Sequence, residues 1–159
     1  LGFRDPQGLA INPKTGRAWT SEHGPRGGDE INDVEKGKNY GFPTIGYGRD
    51  YNGKPINGDK TVQAGMEQPA YFWTPDIAPS GIAFYTGKIF PSWNGNLFVS
   101  ALVARYLVRL VLDGSRVVAE ERLLTDLNAR IRAVNEGPDG ALYVLTDGAN
   151  GKIVRLVKK

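Results

Sequence analysis

Three segments of this 159-residue chain repeat one order: a short strand of small apolar residues, a turn of Pro, Gly and Asn, then a strand closing on a polar end. They are Gly8-Leu9-Ala10-Ile11 with Ala18-Trp19-Thr20-Ser21, Gly81-Ile82-Ala83-Phe84 with Leu97-Phe98-Val99-Ser100, and Ile131-Arg132-Ala133-Val134 with Leu142-Tyr143-Val144-Leu145. The last two lie roughly 50 residues apart, and the first two lie farther apart by about the length of an irregular insert, a spacing that suits four-stranded propeller blades. A sandwich of similar hairpins is the competing arrangement; the repeat favours blades. The fold class is therefore all-β, with β-propeller blades over residues 1–159. Each blade buries its faces against its neighbours, so two or three blades leave an apolar face bare at either end. An upstream half of the wheel, or a second copy of the chain, is expected to cover them.

Within that frame the chain reads as strands and turns. Asn12-Pro13-Lys14-Thr15-Gly16 turns the first hairpin, and Glu30 to Val34 alternates polar and apolar as a half-buried strand. A long segment from about residue 40 to 76 is rich in Gly, Pro, Tyr and Asn and reads as an irregular insert, a length that is usually functional. Tyr106 to Leu112 alternates strongly, and Asp113-Gly114 signals a hairpin answered by Arg116 to Ala119. With 21 Gly, 10 Pro and 40% hydrophobic residues, the composition is that of a turn-rich globular protein.

The densest chemistry lies at Ser21-Glu22-His23-Gly24-Pro25-Arg26-Gly27-Gly28-Asp29-Glu30-Ile31-Asn32, followed by Asn39-Tyr40-Gly41-Phe42-Pro43. It holds the single histidine of the chain. Three glycines and a proline force the backbone to turn, and turned backbone presents carbonyls and amides. Calcium takes oxygens from carboxylates, carbonyls and neutral side chains, and Glu22, Asp29, Glu30, Asn32 and Tyr40 could supply the side-chain part of such a shell. The alternative is a solvated acidic turn with ordinary capping.

Other function classes are less well supported. Twenty Lys and Arg against 17 Asp and Glu give a net charge of +3, with the cations scattered, which makes no case for nucleic acid. No apolar run approaches the ~20 residues of a membrane helix. The absence of cysteine removes disulfides, thiolate metal sites and thiol nucleophiles. Leu1 is not an initiator methionine, which suggests the later part of a longer polypeptide with any signal peptide upstream.

Five motifs in register, Arg4-Asp5-Pro6-Gln7-Gly8-Leu9, the Ser21–Asn32 stretch, Asn39-Tyr40-Gly41-Phe42-Pro43, Ile77-Ala78-Pro79-Ser80-Gly81 and Arg130-Ile131-Arg132, resemble the soluble quinone-dependent sugar dehydrogenases of the glucose/sorbosone dehydrogenase family. The resemblance covers about the C-terminal half of that family's six-bladed propeller. It implies oxidation of the anomeric hydroxyl of an aldose sugar to a lactone, with hydride passing to pyrroloquinoline quinone (PQQ) held on Ca2+, in a periplasmic or exported bacterial enzyme. It further implies that Arg4, Asp5, Arg130 and Arg132 contact the cofactor, that the carbonyls of Gly24 and Pro25 hold its calcium, and that Glu30 and Tyr40 bind a second, structural calcium. The arginine pair, two apart on a strand, suits a carboxylate, although an exposed basic strand face would look the same. The family's catalytic histidine falls upstream of Leu1, so no catalytic residue is expected in this chain, and His23 reads as cofactor-lining. Two departures stand out. Asp5 occupies a position usually held by asparagine, and Val103 stands where a lysine is usual, a loss of about 1–3 kcal/mol if that contact is buried. They leave room for a second reading, a calcium-stabilised propeller module that has lost PQQ.

Overall fold

The structure, a computed structural model, describes residues 1–158. Its strands form three antiparallel sheets. The first runs in the order β1 (Pro6–Ile11), β2 (Ala18–Glu22), β3 (Asp29–Val34), β4 (Tyr71–Trp73). The second is β5 (Pro79–Phe84), β6 (Leu97–Ala101), β7 (Leu107–Asp113), β8 (Arg116–Leu123), and the third β9 (Ile131–Glu136), β10 (Leu142–Thr146), β11 (Ile153–Arg155). Each sheet is a meander whose strands are H-bonded in chain order, and the first strands β1, β5 and β9 pack side by side. This is the geometry of blades around an axis, with the first strand of each sheet innermost.

The strand periodicity builds two cores between three blades. On β6, Leu97, Val99 and Ala101 face the first blade with Trp19, Ile31 and Val108, whereas Phe98 faces the third blade with Leu107, Val134, Leu142 and Val144. All five residues of β6 are buried, as expected for a strand covered on both faces. The inner strands approach so closely that a Cβ at Gly8 would run into the Ser80 carbonyl, and one at Gly81 would sit 3.0 Å from Ala133 Cα. Serine hydroxyls tie the same strands: Ser21 Oγ donates to Ser80 O at 2.7 Å, and Ser80 Oγ to Ile131 O at 2.9 Å.

The far face of the first sheet is open along β1, and that of the third sheet is open as well. Leu9 (68% exposed) and Ile11 (58%) lie on the far face of the first sheet, and Ile153 (72%) and Leu145 on that of the third.

Two expectations are corrected. Tyr71–Trp73, inside the segment read as an irregular insert over 40–76, is the outer strand of the first blade, paired through Asp29 with Trp73 and Ile31 with Tyr71. Three residues are too short to show a period, and their pairing is set by β3 rather than by their own pattern. The connection between β3 and β4, residues 35–70, has no strand and a single isolated bridge, Arg49 with Pro55, among the described residues. It folds back over the first sheet, where Tyr47 stacks on Phe72 with ring centres 3.9 Å apart. The third blade has three strands among the described residues, one fewer than the repeat leads one to expect.

Candidate functional site

One backbone hydrogen bond recurs in all three blades. The amide following the second strand donates to a carbonyl just ahead of the first: His23 N to Asp5 O at 3.1 Å, Leu102 N to Ala78 O at 2.9 Å, and Asp147 N to Arg130 O at 2.7 Å. The entries to the inner strands and the loops after the second strands therefore share one end of the axis. That end carries Arg4, Asp5, His23, Gly24, Pro25, Val103, Arg130, Arg132 and Asp147.

In the first blade the turn is drawn together by Asp29. Its Oδ1 accepts the Gly24 amide at 2.9 Å, and its Oδ2 accepts the amides of Ile77 and Ala78, both at 2.8 Å. Burial first, and then the charge of Asp76, pushes the Asp29 carboxyl up to about 6. The Gly24 and Pro25 carbonyls accept no backbone hydrogen bond among the described residues. A Cβ at Gly24 would collide with the Gly27 carbonyl, so only glycine fits this tight turn.

On the face of the first sheet beneath the insert, Glu22 and Glu30 are direct cross-strand partners, and Asn32 lies two residues beyond Glu30 on the same face. Glu22 accepts the Arg4 amide at 2.7 Å and Asn32 Nδ2 at 3.1 Å, and Asn32 Nδ2 also reaches Glu30 at 3.3 Å. Like charges directly opposed in a ladder destabilise it. Burial first, and then the Glu22 charge, pushes the Glu30 carboxyl up to about 8. Asn32 Oδ1 and Thr20 Oγ1 are buried with no hydrogen-bond partner. Glu22 and Glu30, with Tyr40, Gly24 and Pro25, line a cavity of about 30 Å3. That volume accommodates an ion or a water and excludes an organic cofactor. Two facing carboxylates, an orphaned amide oxygen and free carbonyls are the donor chemistry of a hard divalent cation, so these residues fit calcium.

Two of the five side chains expected to supply such a shell have other partners in the structure. Asp29 serves amides, as above. The Tyr40 hydroxyl donates to Asp33 O at 2.8 Å and accepts the Glu35 amide at 2.8 Å. Among the described residues no group of three or more His, Asp or Glu side chains is placed to hold a metal, and carbonyl oxygens must complete any shell.

The residues expected to contact a cofactor separate into two groups on the shared rim. Arg4 donates from Nη1 to His23 O at 3.0 Å and lies 6.0 Å over the Phe42 ring, beside the Gly24-Pro25 turn. Asp5 accepts Gln7 Nε2 at 2.8 Å, and its second oxygen is 3.6 Å from His23 Nδ1. His23 Nε2 lies 2.7 Å from the Pro79 carbonyl, which can only accept, so this nitrogen carries the proton. The ring bridges two blades. In the third blade Arg130 Nε and Arg132 Nη2 converge on Asp147 Oδ2, at 3.4 and 2.9 Å. Those bonds, Arg132 first, hold the Asp147 carboxyl below the usual carboxylate range. Asp147 was not among the expected site residues; the hairpin that sets Thr146 opposite Ile131 is the signal that could have found it. Three guanidiniums and two free carbonyls on one rim fit a cation-bound polycarboxylate such as PQQ.

Comparison with known proteins places these features in context. Residues 1–155 match the family model described as glucose/sorbosone dehydrogenase. The aldose sugar dehydrogenase YliI of Escherichia coli K12 is 46% identical over 156 residues, covering 98% of this chain and 42% of the relative. A crystal structure titled glucose dehydrogenase superposes with a TM-score of 0.94 at 51% identity, covering 99% of this chain and 46% of that one. The PQQ-bound aldose sugar dehydrogenase of Streptomyces coelicolor superposes with a TM-score of 0.73 at 28% identity, covering 97% and 43%. The chain thus spans under half the length of the relatives it matches. No helix among the described residues is long and apolar enough to cross a membrane.

Proposed function

The chain belongs to the glucose/sorbosone dehydrogenase family, and from that premise we propose that it is the cofactor-floor part of a PQQ- and calcium-dependent oxidoreductase converting aldose sugars to lactones. The bound quinone would supply the hydride acceptor. The chain's own residues bind and orient. Arg4, Arg130 and Arg132 offer guanidinium forks to anionic carboxylates. The Gly24 and Pro25 carbonyls, free of backbone partners, would ligate the cofactor's cation, and Glu30 with Tyr40 and Glu22 would hold a second one. His23, with one nitrogen donating to Pro79 O, keeps the calcium turn against the second blade. The proton acceptor for the sugar hydroxyl comes from outside these residues, as do the further blades that cover the open faces, supplied upstream or by a second copy. The enzyme would be periplasmic or exported.

The observation that carries this reading is the rim hydrogen bond repeated in three blades, which brings Arg4, Asp5, Gly24, Pro25, Arg130 and Arg132 to one end of the axis. Titrating PQQ into the complete protein with calcium present tests it. Submicromolar binding is expected. Failure to bind, with calcium still raising the melting temperature, would instead support the binding-module reading, which Val103, an exposed apolar residue on the cofactor rim, favours.

A further inference from the structure

Arg130 and Arg132 are two positions apart at the start of β9, so their side chains leave the same side of the strand. Left to themselves, two neighbouring guanidiniums repel and sample many rotamers in solvent. Asp147 prevents both. A single oxygen, Oδ2, accepts Arg130 Nε at 3.4 Å and Arg132 Nη2 at 2.9 Å. The backbone fixes Asp147 in turn, because its own amide donates to the Arg130 carbonyl at 2.7 Å. The carboxylate is thus tied to the strand that carries the arginines. Each guanidinium is held by one nitrogen, and the remaining N–H groups of both stay available for an anion.

Asp147 occupies, in the third blade, the rim position that His23 holds in the first and Leu102 in the second. We propose that Asp147 is a positioning residue that presets Arg130 and Arg132 as a rigid two-guanidinium seat for a carboxylate of the polycarboxylate cofactor. The inference rests on the cofactor reading above. Losing Asp147 makes the seat more positive but lets it wander, and for a geometrically demanding ligand the second effect dominates.

The test is equilibrium binding of PQQ to the calcium-loaded complete protein at two salt concentrations, with melting temperatures in parallel. Asp147→Asn is expected to bind about tenfold more weakly, the order expected when two long side chains must be ordered on binding, and with a steeper salt dependence. In an Arg130→Gln/Arg132→Gln background the same change should have no further effect. Asp147→Glu keeps the charge but shifts the oxygen by a methylene, and should bind about threefold more weakly than the native protein. It decides the matter if Asp147→Asn does not fold. Unchanged or tighter binding by the variant that decides, or an equal loss in the arginine-less background, overturns the proposal. If the native protein itself does not bind the quinone, the cofactor reading fails and this inference with it, whereas native binding with an indifferent Asp147 rejects the inference alone.

Discussion

Glu22 and Glu30 face each other across a ladder in a buried pocket, which a protein tolerates if a proton or a metal ion lies between them. Native Glu30 holds its proton up to about 8, whereas in the unfolded chain it would release it near 4.5. Between those values the native state binds more protons than the unfolded state, so metal-free stability falls as pH rises through the window and levels off above it. Calcium would take the place of the proton. We therefore expect the melting temperature in chelator to decline from pH 5 to pH 8, with the increment added by calcium growing over the same range. Glu30→Gln should flatten the decline and abolish the calcium increment; an undiminished increment would remove Glu30 from the site. Asp29 does a different job, and Asp29→Ala should cost about 3 kcal/mol or more in urea unfolding, because three amides lose their acceptor. The crowding of acids between Glu22 and Asn32 was legible in the sequence. Which acid serves an ion and which serves amides was not, because the Ile77 and Ala78 amides that claim Asp29 are 48 and 49 residues away.

At the level of elements, the blades are held at their inner strands by close approach and by two serines. Gly8→Val would drive a side chain against the Ser80 carbonyl and Ser21 Oγ and wedge β1 from β5. A loss of about 1–3 kcal/mol is expected, read from chemical denaturation, with the far-UV spectrum retained. The alternating strands and the Asp113-Gly114 turn were plain in the sequence because period two and turn chemistry are local. The outer strand β4 was not, since its place is fixed by the partner strand and by Tyr71 and Trp73 both donating to Glu120 of the second blade, at 3.0 and 2.9 Å.

On the scale of the whole molecule, the repeated strand-turn-strand order announced blades, and the structure lines them up as two cores between three sheets. It also leaves Leu9, Ile11, Leu145 and Ile153 facing outward on the two end sheets. The 159-residue polypeptide, produced by itself, should associate at micromolar concentration in sedimentation runs, and Leu9→Lys with Ile153→Lys should shift it towards monomer. Such a preparation should not turn over glucose with PQQ and calcium, because its single histidine is engaged between two blades. The bond that closes each blade at the rim is made by main-chain atoms alone, so that bond is indifferent to whether histidine, leucine or aspartate follows the second strand. Each blade thus offers an interchangeable socket, and mutation can trial new chemistry around the axis, one socket at a time, without renegotiating the architecture beneath.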